Sequence, residues 1–191
     1  ENLVQHTLDH GGLISYKNNP DGSKSPYEMN INYFDALSDP AGNEPLQLQV
    51  DRFMAAQAIM LMLRGVPGIY FHSLFGSRGW RAGVEQTGQN RTINRQKLEL
   101  SSLESELSGH ESLRALVFSH YHRLLTIRRQ SPAFHPNGTQ RLLDMGPEIF
   151  ALSRTSPDGT ETIRILQNVT PLEQHSDNIK LKAYETRFIF F

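Results

Sequence analysis

The sequence predicts an α/β fold in which a helix, a short buried strand and a long polar loop form one repeat of a parallel (β/α)8 barrel, followed by a small antiparallel β module. Three observations carry this. Val50 to Arg64 (VDRFMAAQAIMLMLR) is rich in strong helix formers and is apolar all round from Ala58 to Leu63. Ile69-Tyr70-Phe71-His72 is β-branched and aromatic, the composition of a strand buried on both faces of a parallel sheet. After Ala133 the texture changes to short β-prone runs separated by turn residues. Helix, strand and polar loop make up the barrel repeat, and barrel chemistry sits on the loops that follow the strands.

Taken in order, Glu1 to His10 sets Leu3, Val4 and Leu8 at helical spacing, and Gly11-Gly12 ends that helix. Leu13 to Tyr16 reads as a brief extended piece, and Lys17 to Pro26 (KNNPDGSKSP) as turn chemistry. Tyr27 to Tyr33 alternates, with Met29, Ile31 and Tyr33 on one side and Glu28, Asn30 and Asn32 on the other. That pattern predicts an apolar underside and a polar outer edge. The central helix can open as early as Pro45; Gly65 and Pro67 stop it. Arg64 ends its apolar run far short of the ~18 residues that span a membrane.

From Ser73 to Ser102 polarity is high and periodicity weak, so a long functional loop is expected, carrying Trp80, Arg78, Arg81, Arg91 and Arg95. Arginine suits phosphate and sugar hydroxyls because its planar fork of donors cannot deprotonate. Arg78 and Arg81 are read as rim residues, solvated or paired with Glu85. Ser108-x-x-Glu111 matches a capping box. Leu113, Leu116, Val117, Tyr121, Leu124 and Leu125 then define one helical face, with Arg128 and Arg129 in the last turn and Pro132 as the stop. The β-prone runs are Arg141 to Asp144, Ile149 to Arg154, Thr162 to Asn168, Ile179 to Leu181 and Arg187 to Phe191. Ser156-Pro157-Asp158-Gly159 makes a hairpin turn between the second and third. The module should lean on the helical face before it, since so short a stretch buries little core by itself.

Net charge is −1 over 191 residues, with both signs scattered, so there is no basic stripe for nucleic acid and no polybasic segment for a membrane surface. The absence of cysteine removes disulfides and thiolate metal sites, and fits a reducing cytoplasm. His6 and His10 lack a third partner, and His110, His120, His122 and His135 share no ligand spacing, so neither a metal nor a cofactor is expected.

Three segments together resemble one family: Tyr27-Glu28-Met29-Asn30-Ile31-Asn32-Tyr33-Phe34-Asp35-Ala36-Leu37, Gly65-Val66-Pro67-Gly68-Ile69-Tyr70-Phe71, and Asn90-Arg91-Thr92-Ile93-Asn94-Arg95. They are similar to the sucrose-phosphorylase-like branch of the α-amylase superfamily, glycoside hydrolase family 13. The resemblance implies the C-terminal part of a (β/α)8 TIM barrel over residues 1–131, with Ile69 to His72 on the eighth strand, and a C-terminal antiparallel β domain over 132–191. It implies a retaining α-glucoside phosphorylase that passes glucose to inorganic phosphate. The three carboxylates of that mechanism are expected upstream of Glu1, so no catalytic residue is assigned here and the chain alone is expected to be inactive. Asp9-His10 inverts the order of the family's His-Asp pair and is rejected.

By the same resemblance, Tyr27 and Glu28 fall on the acceptor-facing loop and Arg91 on the loop arginine that contacts sugar or phosphate. With Asn32 on the polar edge and His72 at the strand's carboxyl end, the expected substrate-binding set is Tyr27, Glu28, Asn32, His72 and Arg91. For His72, a packed histidine bonded in the wall is an equal reading. Sucrose phosphorylases tend to carry Gln in place of Glu28 and Asp in place of Thr92. Sucrose 6-phosphate, glucosylglycerol and glucosylglycerate therefore stay open as substrates, the last favoured. A hydrolase or transglycosylase of the same fold, a non-catalytic carbohydrate-binding module and a homodimer also stay open.

Overall fold

The computed structural model describes residues 2–176 and 178–191. In chain order the elements are α1 (Asn2–Asp9), β1 (Leu13–Asn18), β2 (Lys24–Asn30), α2 (Tyr33–Leu37), α3 (Leu46–Met62), α4 (Phe71–Leu74), α5 (Arg81–Thr87), a 3-10 turn (Asn90–Asn94), α6 (Leu100–Ser108) and α7 (Leu113–Gln130). A second 3-10 turn (Pro132–Phe134) leads to β3 (Thr139–Leu143), β4 (Ile149–Thr155), β5 (Thr162–Asn168), β6 (Gln174–Ser176), β7 (Ile179–Leu181) and β8 (Thr186–Phe190). The chain divides into two compact units, residues 1–45 with 70–118, and residues 46–69 with 119–191.

In the second unit α3 is buried on most sides, with Val50, Phe53, Met54, Ala55, Ala58, Leu61 and Met62 all in the core. A helix whose apolar residues point every way must be covered every way. Its last carbonyls, which no helical N–H can reach, are taken by two arginines. Arg128 donates to the Leu61 and Gly65 carbonyls, and Arg154, fully buried, donates Nη1 to Met62 O at 3.4 Å. Positive charge also complements the negative end of a helix dipole. Both guanidiniums lie over the Phe134 ring, 5.1 and 5.8 Å from its centroid.

The β module follows the expected runs. β3, β4, β5 and β8 form one antiparallel sheet in the order β3-β4-β5-β8, and β6 pairs with β7. Leu152 lies opposite Ile165 and Ala151 opposite Leu166. Both pairs are buried, so the centre of the sheet is covered on its two faces. One face packs Ile149, Ala151, Leu166 and Leu181 together, and β5 also contacts α3. At the β4–β5 turn Asp158 accepts from the Ser156 and Thr160 hydroxyls and from the Thr160 N–H. These bonds hold its carboxyl at about 2. Gly159 takes the positive φ of 74° that closes the turn.

The helical face of α7 is as expected, with Val117, Tyr121 and Leu124 buried. Its cap is not. Ser108 ends α6 and bonds back to Glu104 O, while Ser112 Oγ accepts from the Ala115 N–H at 3.0 Å. Ser112 directly precedes Leu113, the first helical residue, and meets the third helical N–H, so it takes the cap that sequence spacing gave to Ser108.

Two further expectations are corrected. Ile69 to His72 is not a paired strand: residues 66–70 belong to no helix or strand, and Phe71 opens α4. A parallel strand exists only through neighbours on its edges, and no described strand offers one. Tyr70 and Val66 are accordingly 52% and 84% exposed. The stretch from Ser73 to Ser102 is no continuous loop either; α5, the first 3-10 turn and the start of α6 break it up.

Candidate substrate-facing site

The first unit is built around the β1–β2 hairpin. Ser15 lies opposite Glu28 and Tyr16 opposite Pro26, so Tyr27 is an extra residue with no partner on β1. Such a bulge bends the strand and re-aims the side chain, and Pro26, having no N–H to give a ladder, fits beside it. Tyr27 is 65% exposed as a result.

The alternation from Tyr27 to Tyr33 is real but faces the opposite way from expectation. Asn30 and Asn32 are buried, while Met29 and Tyr33 stand about half exposed. The buried amides are satisfied, which is what makes their burial tolerable. Asn30 Nδ2 reaches Ser15 Oγ at 3.0 Å, Glu28 O at 3.3 Å and Leu13 O at 3.4 Å. Asn32 Nδ2 donates to Arg78 O at 2.6 Å. Polarity marked these residues as a solvent edge because the sequence does not show the carbonyls they meet.

Residues 90–94 are pinned at three points. Asn90 Nδ2 donates to Ile14 O at 3.2 Å, Ile93 is buried and receives the Trp80 N–H on its carbonyl at 2.7 Å, and Tyr70 Oη donates to Asn94 O at 2.6 Å. Between these anchors Arg91 stays exposed. Its Nε donates to Glu28 Oε2 at 2.9 Å, and that bond, with the carboxylate's charge, holds the guanidinium above its ordinary value. Among the described residues the two Nη groups of Arg91 make no hydrogen bond, so the wider edge of the fork is left for a ligand. The hairpin thus brings Tyr27, Glu28 and Arg91 to one place.

His72 lies in the same unit but in a different setting. Its Nδ1 is 3.0 Å from Ser77 Oγ, and Ser77 Oγ accepts from Arg114 Nη1 at 2.8 Å. The Ser77 hydroxyl, with one lone pair taken by Arg114, either donates to Nδ1 or accepts from it according to the tautomer of the imidazole. A backbone hydrogen bond with Gln96 completes the set. Burial first, and the Arg114 charge second, push the imidazole below its ordinary value. The ring is therefore held within the wall. Sequence reasoning did not find Ser77 or Arg114, because partners set by tertiary structure leave no local pattern.

Arg78, expected on the rim and solvated or paired with Glu85, instead pairs with Asp35. The buried Asp35 carboxylate accepts from Arg78 Nη1 at 2.8 Å and from the Gly79 N–H at 2.6 Å. The Arg81 guanidinium lies against Gly11, where any side chain would collide with it. Asp9 and His10 bond separately, to Gln5 and to the Asp35 carbonyl, so they form no pair. Among the described residues no group of three or more His, Asp or Glu could hold a metal ion. No described helix is long and apolar enough to cross a membrane.

The fold is one shared with α-amylase-type enzymes. The chain superposes on sucrose 6F-phosphate phosphorylase from Thermoanaerobacter thermosaccharolyticum with a TM-score of 0.71 at 20% identity, over 99% of this chain and 33% of that one. It also superposes on the α-amylase of H. orenii with a TM-score of 0.52 at 18% identity, over 74% of this chain and 35% of that one. The fold class is therefore part of a (β/α)8 barrel with a following antiparallel β domain. At the level of sequence the chain is 50% identical over 172 residues to a glucosylglycerate phosphorylase of Spirochaeta thermophila, and 39% identical over 173 residues to one of Escherichia coli. These matches take in 90% and 91% of this chain. A sucrose 6(F)-phosphate phosphorylase of Ilumatobacter coccineus is 26% identical over 70% of this chain and 23% of its own. The chain is thus homologous to a segment of these glucosylglycerate phosphorylases. It spans about 30% of the length of the glucosylglycerate phosphorylases it matches. No family model matches it.

Proposed function

We propose that this chain is the acceptor- and phosphate-recognising part of a retaining α-glucoside phosphorylase, with glucosylglycerate as the favoured glucoside. The observation that carries the reading is Arg91, exposed on a pinned turn, joined by one bond to Glu28 and beside the bulged Tyr27. A guanidinium with two free Nη groups can grip a phosphate, or the carboxylate of glycerate, through parallel bonds. The tyrosine offers a flat apolar face and a hydroxyl to a sugar ring. Glu28 keeps Arg91 oriented until an anion arrives. Asn32 and His72 are spent on internal bonds instead, Asn32 to the Arg78 carbonyl and His72 to the Ser77 hydroxyl that Arg114 also meets.

In this reading residues 1–131 belong to the barrel and 132–191 to the β domain, and the protein acts in the cytoplasm. Double displacement needs one carboxylate to attack the anomeric carbon and another to protonate the leaving oxygen. No residue of this chain is assigned either role. The glucoside preference is supported by the names of the three relatives of 39% identity or more. The test is a product assay with the intact protein, offering glucosylglycerate, sucrose 6-phosphate and sucrose with inorganic phosphate. Release of α-glucose 1-phosphate, fastest from glucosylglycerate, is expected. Release of free glucose at a rate indifferent to phosphate would instead make the protein a hydrolase of the same fold.

A further inference from the structure

The cleft between α3, α7 and the β7–β8 turn is unexplained by the reading above and shares no residue with it. Asp51 and Met54 of α3, His120, Arg123 and Leu124 of α7, and Lys182 to Thr186 enclose about 220 Å³. At ~30 Å³ per water that is room for roughly seven waters, enough for a small metabolite but below the usual size of a drug pocket.

The floor of the cleft is unusually fixed. Tyr184 has a φ of 54°, a conformation bulky side chains rarely adopt and one that persists only where surroundings impose it. Two fully buried amides impose it here. Gln167 Nε2 donates to Tyr184 O at 2.9 Å, and Asn168 Nδ2 to Lys182 O at 2.8 Å. The Tyr184 N–H donates to Thr170 O, and Arg52 both donates to the Tyr184 hydroxyl at 3.2 Å and lies over its ring.

The charges facing the cleft are unevenly committed. The Glu185 carboxylate is taken by Arg187 and by the Lys182 N–H. Asp51 accepts from Gln47 through Oδ1. Among the described residues Arg123 and Lys182 form no ion pair within 4 Å, although the Lys182 charge acts on Glu185, so two cations from two elements line the cleft with one half-engaged carboxylate. Burial, and then the Arg123 charge, keep His120 below its ordinary value, which leaves it a neutral N–H donor.

We propose that this cleft binds a phosphate group, held by Arg123 and Lys182 with His120 as a donor, with Asp51 and the Tyr184 hydroxyl left to meet hydroxyls if the phosphate is an ester. The source is either inorganic phosphate or a small phosphomonoester. A charge-assisted fork and a mobile ammonium from opposite walls are the usual means of holding such a group.

The test follows the imidazole signals of His120 by NMR in the intact protein, which reports this cleft whatever happens at Arg91. Inorganic phosphate and glycerol phosphate are titrated in turn, with chloride at matched ionic strength as the blank. A saturable shift with either probe, weakened about tenfold or more in both Arg123→Gln and Lys182→Gln, supports the site, and the tighter probe identifies the source. Signals unmoved by both probes, moved equally by chloride, or moved alike in the wild type and both folded variants, overturn it.

Discussion

Arg91 Nε meets Glu28 Oε2 at 2.9 Å across the gap between a pinned 3-10 turn and a bulged strand. The two residues lie 63 positions apart, yet each is held by its own local device. On the strand side the extra residue Tyr27 sets the direction in which Glu28 leaves the hairpin. On the turn side Asn90 and Ile93 fix the backbone around Arg91. In the proposed function, a pair arranged in this way is a keeper for a cation that an incoming anion can claim.

Glu28→Gln removes the competing charge while keeping the shape. Arg91 should then be freer for phosphate, and the KM for phosphate in phosphorolysis should fall several-fold with kcat little changed. A steady-state titration of phosphate checks this; an unchanged or raised KM would mean that Glu28 does not compete for Arg91.

The inward asparagines give a paired stability test. Asn32→Ala removes a buried side chain that donates to the Arg78 carbonyl, and urea unfolding should show a loss of about 1–3 kcal/mol. Met29→Ser, on the half-exposed side, should cost no more than about 0.5 kcal/mol. The opposite ranking would restore the apolar-inside arrangement that hydrophobic alternation suggests.

Arg154→Met exchanges a buried guanidinium for a side chain of similar length. It strips donors from the Met62, His135 and Thr139 carbonyls together. Leaving such acceptors bare should destabilise by about 3 kcal/mol or more. At about 2–4 °C per kcal/mol for a chain of this size, calorimetry should find the midpoint lowered by roughly 6–12 °C.

Acid should weaken the fold through its neutral histidines. His72 and His120 both have folded values below the ordinary 6.5. The unfolded chain therefore binds more protons than the folded one as pH drops below that value. Their contribution is complete well above pH 6.5 and is lost as pH falls from about 6.5 toward the folded values. Unfolding free energies measured from pH 8 to 5 should decline over that interval, and less steeply in His72→Gln.

Much of the architecture was legible in the sequence because it rests on local pattern. The β-prone runs, the Ser156–Gly159 turn, the buried central helix and the apolar face of α7 each follow from periodicity or turn chemistry. The errors share a cause. Asn30 and Asn32 look like a wet edge until Leu13, Ser15 and Arg78 are seen to receive them. Ile69 to His72 has strand composition, yet a strand is a relation to neighbours that a single segment cannot encode. At the site, motif resemblance named Tyr27, Glu28 and Arg91, but neither the bulge nor the Glu28–Arg91 bond is written in any one of those motifs.

The most direct test of Arg91 as the anion-gripping residue is the phosphate dependence of Arg91→Ala beside wild type, with glucosylglycerate saturating. The KM for phosphate should rise about tenfold or more, as expected for a lost charge-assisted contact, while the melting temperature stays put because Arg91 is exposed. Phosphate kinetics identical to wild type would contradict the account.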